Sequence, residues 1–180
     1  MPQVQHRSYR SPILAQGPAY LDSSVVVGFI TTADRFHSQA VQFVGDHAVA
    51  GVQMQVSLLT IDETIWTMAR GMVARALNKP VRSIALGSLL KRGPGVLAPH
   101  LPAMRQAIHY VTTWAVLTQP SAPPDVVLDS WWDRLSDIGG VHDAKHLALA
   151  EHAGARSFIT ADNDYRQVKR LPFPLNIYKL

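Results

Sequence analysis

Short apolar runs alternate with longer stretches of helical spacing along most of this chain, and that rhythm restricts the fold more than any other feature. "AYLDSSVVVGFI" begins as an apolar strand ending near Asp22, "DRFHSQAVQFV" has helical spacing, and "VQMQVSLL" alternates like a strand. "TIDETIWTMARGMVARAL" then puts Ile61, Ile65, Met68, Ala69, Met72 and Ala76 on one helical stripe. "AMRQAIHYVTTW" reads as helix, "AVLTQ" as extended chain, "PSAPP" as a linker turn and "DVVLDSWWDRLSD" as helix. "GGVHDAKHLALAEHAGA" reads as a helix stopped by Gly154, and "RSFIT" as a strand. Strands separated by helices cannot be joined as hairpins, so the expected class is α/β, a central mainly parallel sheet flanked by helices in three layers. The Pro- and Gly-broken segment "NKPVRSIALGSLLKRGPGVLAPHLP" interrupts the rhythm; it is expected to be irregular, with one short helix around Ile84 to Leu90.

At 180 residues with 47% apolar content, the chain can bury a proper core, and its length favours one domain. It has no cysteine, which excludes disulfide scaffolding and thiolate metal sites and agrees with a reducing, cytoplasmic setting. No stretch of about 18 apolar residues could span a membrane, and the first twenty residues lack the apolar core of a signal peptide. No membrane association is expected. The net charge is +4, but its arrangement says more: Thr64 to Pro124 contains no acid and carries Arg70, Arg75, Lys79, Arg82, Lys91, Arg92 and Arg105. Such a one-signed stretch attracts a polyanion; a solvated basic surface accounts for it equally well.

In open α/β sheets the functional crevice lies beyond the carboxyl ends of the strands. Asp22 ends the first apolar run, and Asp162 follows the last one in "FITADNDY". Glu63 follows the "VQMQVSLL" run in the first turn of its helix, and Asp143 opens the helix leading to "RSFIT". Four carboxylates converging on one edge repel one another by several kcal/mol unless protons or cations neutralise them, and an oxygen site without sulfur suits Mg²⁺ or Mn²⁺. Each residue also has a plain structural role open to it. Thr60 and Glu63 fit a capping box, Asp143 suits a helix N-terminus, Asp22 could cap the helix in "SSVVV", and Asp162 with Asp164 could serve a turn.

"YLDSS", "SLLTIDETIW", "VHDAKHLALAEHAGARSFIT" and "TADNDY" occur in an order and at a spacing that resemble PIN-domain ribonucleases, most of all the VapC-type toxins of toxin–antitoxin pairs. The resemblance spans about Tyr20 to Tyr165. It implies a PIN-like fold and a Mg²⁺- or Mn²⁺-dependent ribonuclease with the acidic quartet Asp22, Glu63, Asp143 and Asp162, and with Asp164 as an auxiliary metal ligand. It also implies Ser23 or Ser24 as the helper after the first Asp, Thr160 as the residue orienting a carboxylate, an RNA substrate, a cognate antitoxin and a homodimer. Residues 1–19 have no counterpart in that pattern and are expected to be an N-terminal extension. Residues 20–180 would then be one PIN-like nuclease domain with an insertion around 78–102. Arg70 lies two helical turns beyond Glu63 and, with Arg75, is a candidate RNA contact.

Competing motifs occupy the same region. His142 and His146 in "HDAKH" have the i, i+4 spacing of a zinc-protease helix, with Asp143 where the general-base Glu would stand. Asp is one methylene short and no third ligand follows, so His146 is expected to be a buried or surface residue instead of a ligand. A phosphatase-like use of Asp22 as nucleophile is disfavoured by Ser24, where a second Asp would be needed. A catalytically weak metal- and RNA-binding module remains open. Asp125, Asp129, Asp133 and Asp137 share one helical face, expected to be solvated. Trp131 and Trp132 suit either the core or an interface, and Tyr165 is expected to anchor the turn after the last strand.

Overall fold

The apolar runs form strands whose successive residues face opposite layers of helix. In the computed structural model, which describes residues 2–11, 14–85 and 94–180, six strands make one sheet. They are β1 (Gln5–Ser8), β2 (Ala19–Leu21), β3 (Met54–Val56), β4 (Val116–Leu117), β5 (Ser157–Thr160) and β6 (Asn176–Lys179). Their order is β1-β6-β5-β2-β3-β4, with every strand pairing parallel. The main helices are α1 (Ser23–Ile30), α2 (His37–Val49), α3 (Leu58–Ala76), α4 (Leu101–Trp114), α5 (Pro124–Ile138) and α6 (Val141–His152). Among the described residues, no helix is long and apolar enough to cross a membrane.

The two-residue period of the strands divides the core into two layers. Leu21, Ile159 and Tyr178 point to one side, where they pack with Val25 and Val26 of α1, Phe43 of α2 and Val111 of α4. Tyr20, Phe158 and Ile177 point to the other, against Ile138 of α5 and Ala144, Leu147 and Ala150 of α6. Tyr20 and Phe158 stack with ring centroids 5.6 Å apart. Burying a side chain such as Phe158 stabilises the fold by about 1.5–3 kcal/mol.

Strand β2 is central. β3 and β4 extend the sheet on one side of it and β5 and β6 on the other, so the strand order reverses there and leaves a crevice at the carboxyl ends of β2 and β5. Register fixes that edge: Leu21 pairs with Ile159, so Asp22 and Thr160 leave the sheet side by side.

Several elements differ from the sequence expectation. Residues 1–19, expected as an extension, contribute β1, which pairs with β6 and extends the sheet. The "VQMQVSLL" strand is shorter than its alternation suggests, because Ser57 caps α3 and the helix already begins at Leu58. The capping box joins Ser57 to Thr60 instead of Thr60 to Glu63, so Glu63 is not consumed as a cap. The buried face of α3 carries Thr60, Thr64, Ala69, Val73 and Ala74. Ile61, Ile65, Met68 and Met72 are only half-buried and Ala76 is exposed. Threonine can take core-facing positions here because Thr60 Oγ1 donates to the Leu21 carbonyl and Thr64 Oγ1 to that of Thr60. The helix expected around Ile84 to Leu90 lies, from residue 86 onward, outside the described residues. Gly154, with φ +67°, stops α6 as anticipated.

Candidate active site

At the end of β2 the chain turns directly into α1, and Asp22 is the N-cap. Its Oδ1 accepts from Ser23 N at 2.8 Å. Its Oδ2 accepts from Ser24 Oγ at 2.7 Å and from Thr160 Oγ1 at 2.8 Å. The carboxylate is buried, at 5% exposure, and three donors fix its direction. The same hydroxyls tie β5 to α1: Ser24 Oγ accepts from Ala161 N, and Thr160 Oγ1 from Asp162 N.

Glu63 comes in from the second turn of α3. Its Oε2 accepts from Ser23 Oγ at 2.7 Å and lies 2.9 Å from His146 Nε2, and its Oε1 lies 2.7 Å from His142 Nδ1. Burial pushes the Glu63 carboxyl up, but the hydrogen bond and charge of His146, with hydrogen bonds from Ser23 and His142, outweigh it and hold the group at about 2. Asp143, half-buried in the first turn of α6, is pushed above its usual value by burial and then by the charges of Asp22 and Asp162. It sits tightly over the start of its helix: a Cβ on Gly140 would overlap Asp143 Oδ2. Asp162 is exposed, and its Oδ1 accepts from Asp164 N at 2.9 Å in an Asx turn.

Asp22, Ser23, Ser24, Glu63, Asp143 and Asp162 therefore line one cavity of about 350 Å³, together with Val27, Asp34, Arg35, Phe36 and Thr67. Asp164 does not line it; it opens the short helix Asp164–Gln167 just beyond. Tyr165 is buried and packs on Phe158 at 4.7 Å between centroids. Its hydroxyl faces the Asp143 carboxylate, at a geometry looser than an ordinary hydrogen bond. Burial, then the nearby charges of Asp22 and Asp143, raise its pKa.

Arg70 and Arg75 are not at this cavity. Arg70 Nε donates to the Ile84 carbonyl at 2.9 Å, which gives it a structural task, and Arg75 lines a groove between α1 and α3. The cation that lines the cavity is Arg35, its guanidinium 4.5 Å from the Phe36 ring centre. The sequence reading put it inside the helical stretch "DRFHSQAVQFV", but the helix begins at His37 and Arg35 stands in the turn before it.

His146 is the other residue that sequence reasoning undervalued. It is buried, at 1% exposure, and its Nε2 also lies 3.5 Å from Asp22 Oδ1. One ligand atom from each of Asp22, Glu63 and His146 can be chosen within 4.8 Å of the others, a spacing and donor set that fit a divalent cation. The HDAKH spacing was the available signal, but its geometry is not that of a zinc protease. His142 stays largely exposed and bonds the other Glu63 oxygen, so the two imidazoles share a carboxylate instead of converging on one ion. Asp22 is equally ill placed as a nucleophile, since both its oxygens are engaged by donors.

Outside the cavity, Asp125, Asp129 and Asp133 are exposed, and Asp137 lies 3.0 Å from the buried Arg134. Trp131 packs partly against the core and Trp132 is 60% exposed.

No protein-family model matches this chain, and no curated protein matches its sequence. A solved structure is similar: Mycobacterium tuberculosis VapC20, a toxin that cleaves the sarcin–ricin loop. It shares 15% identity with a TM-score of 0.50, over 84% of this chain and 99% of that one. The likeness is one of fold. The all-parallel six-stranded sheet flanked by helices is a PIN-like α/β fold.

Proposed function

We propose that this protein is a divalent-metal-dependent endoribonuclease that hydrolyses RNA phosphodiester bonds and acts as the toxin of a toxin–antitoxin pair. The observation that carries the reading is the cavity at the switch point of the sheet, where Asp22, Glu63, Asp143 and Asp162 arrive from four separate elements. The fold it shares with an RNA-cleaving toxin agrees with it. Asp22 and Glu63, with Asp143 and Asp162 at the rim, would hold Mg²⁺ or Mn²⁺. When bound, such an ion acidifies a water and stabilises charge on the leaving oxygen.

The chain's own residues do the positioning. Ser24 and Thr160 aim Asp22 into the cavity, and Ser23 bridges to Glu63, so the two carboxylates are oriented before any ligand arrives. Asp162, the exposed member, would add its carboxylate to the ion from the mouth of the cavity. Arg35 stands at the rim where it can contact a phosphate, and the basic Arg75 and Lys79 line the adjoining groove. Single-stranded or looped RNA is the expected substrate, since unpaired bases can be splayed into a groove. An antitoxin partner, a homodimer and a cytoplasmic site of action belong to the same proposal.

Purified protein incubated with single-stranded RNA should cleave it in Mg²⁺ or Mn²⁺ and stop in EDTA. Full cleavage in excess EDTA would overturn the metal-dependent mechanism. Retention of RNA with no cleavage in either ion would instead identify a binding module.

A further inference from the structure

Among the described residues, one buried imidazole faces two carboxylates, an arrangement that an oxygen-only Mg²⁺ site does not call for. We propose that His146 Nε2 is a direct ligand of the ion held by Asp22 and Glu63, and that the site therefore selects a first-row transition ion, Mn²⁺ foremost, over Mg²⁺. The proposal rests on the metal-binding part of the reading above but not on RNA as substrate.

The geometry is that of a ligand with a built support. His146 Nε2 lies 2.9 Å from Glu63 Oε2 and 3.5 Å from Asp22 Oδ1, and the ring is almost wholly buried. A neutral ring presenting the Nε2 lone pair to two carboxylates is repulsive unless a proton or a cation sits between them. The other nitrogen decides whether a cation can take that place, because a ligating imidazole must carry its proton on the far side.

That far side is furnished. His146 Nδ1 lies 2.9 Å from Tyr20 Oη, which lies 2.7 Å from Ser57 Oγ. Ser57 Oγ lies 3.2 Å from Thr60 Oγ1, and Thr60 Oγ1 lies 3.1 Å from the Leu21 carbonyl. Every hydroxyl can turn so that the chain runs outward: Nδ1–H donates to Tyr20, Tyr20 to Ser57, Ser57 to Thr60, and Thr60 to a carbonyl that can only accept. No proton is left without a partner, so when a cation displaces the Nε2 proton the ring turns a bare Nε2 toward Asp22 and Glu63.

The chain is buried throughout and closes on the residue immediately before Asp22, so ring and carboxylate are held in one frame. The selectivity follows from the donor set. Mg²⁺ takes oxygen and gives up water reluctantly, whereas Mn²⁺ accepts carboxylate oxygen and gains from imidazole nitrogen. His142, exposed and bound to the opposite Glu63 oxygen, has no such support and is not a ligand.

The test is pulsed EPR of Mn²⁺ added to the metal-free full chain, with calorimetric titration of Mn²⁺ and of Mg²⁺. The bound ion should show the nitrogen coupling of a coordinated imidazole, retained in His142→Gln and lost in His146→Gln. His146→Gln should lower Mn²⁺ affinity about 10–100-fold while changing Mg²⁺ affinity less, and Tyr20→Phe should give an intermediate loss. If His146→Gln does not fold, the wild-type and His142→Gln spectra decide alone. Mn²⁺ bound to the wild type with oxygen ligands only would overturn the proposal, as would equal affinity for the two ions. No RNA enters the measurement. Nitrogen coupling in a protein without nuclease activity would sink the ribonuclease reading alone, and an active nuclease with oxygen-only Mn²⁺ would sink this proposal alone.

Discussion

Replacing Thr160 by Val tests whether the site is held by its hydroxyl clasp. Val has nearly the volume of Thr and suits the last position of a strand, so the substitution removes one oxygen from a buried place and disturbs little else. That oxygen donates to Asp22 Oδ2 at 2.8 Å and accepts from Asp162 N at 2.9 Å. Losing a hydrogen bond to a buried carboxylate costs about 1.5–3 kcal/mol. The loss at Asp162 N adds less than about 1 kcal/mol, because that end of the turn is open to water. The sum, about 1.5–4 kcal/mol, corresponds to a fall in Tm of about 3–16 °C for a chain of this size. Cleavage should fall more steeply, by about 10–10²-fold, because Asp22 loses one of the two donors that aim Oδ2. Thermal melts in metal-free buffer and single-turnover RNA cleavage measure the two effects. Thr160→Ser restores the hydroxyl and should recover most of the rate. A Thr160→Val protein that melts and cleaves like the wild type would refute the clasp.

Three further outcomes follow from the same geometry. Asp162→Ala should cut cleavage by at least about 10²-fold, and Asp164→Ala by less, since only Asp162 lines the cavity; parallel cleavage assays that reverse this ranking would show the roles to be exchanged. Gly140→Ala should displace the Asp143 carboxylate, weakening metal binding in a calorimetric titration while leaving the melt nearly unchanged, because the group that must move is the end of a side chain. In metal-free protein, the share of stability carried by Glu63 is present above its ordinary value of 4.5 and is lost as pH falls toward its folded value of about 2. His146 is raised above 6.5, where burial alone would lower it, because the hydrogen bond to Glu63 and the charges of Asp22 and Glu63 outweigh burial. Its share is complete below 6.5 and is lost as pH rises through the folded value. Urea unfolding across pH should therefore give the pair its largest effect between about 4.5 and 6.5. The measurement belongs in an Asp143→Asn background, compared with the same background carrying Glu63→Gln, which leaves the raised Glu151 carboxyl common to both; identical profiles would refute the pairing.

The layer architecture was legible because β2, β3 and β5 are short apolar runs separated by stretches of helical period, and such strands can only join in parallel. Asp22 and Asp162 could be placed at the sheet's edge for the same reason: each directly follows a run that has to be buried. Strands β1 and β6 were not legible. Gln5–Ser8 is polar throughout, and Asn176–Lys179 follows a Pro-interrupted stretch, so neither carries a period. The buried face of α3 was misread because Thr60 and Thr64 satisfy their hydroxyls internally, which a hydropathy stripe cannot register. His146 was undervalued because its worth depends on Tyr20 and Glu63, which reach it from 126 and 83 positions away.

The clasp between Asp22 and Thr160 joins residues 138 positions apart, and this gives the protein a built-in order of events during its synthesis. Asp22 leaves the ribosome early, but its orienting hydroxyl, the Asp143 carboxylate and the His146 ring come later. A nascent chain halted before β5 therefore holds three of the four carboxylates but lacks Asp162 and the Thr160 hydroxyl that aims Asp22. Competence and assembly of the sheet's centre become one event, because the β2–β5 pairing also assembles the cavity. Ribosome-stalled chains ending before Ser157 should be inert toward added RNA while the released full-length chain cleaves it. On the ribonuclease reading proposed above, the cell's own translation machinery would thereby be spared a nuclease acting while still attached to it.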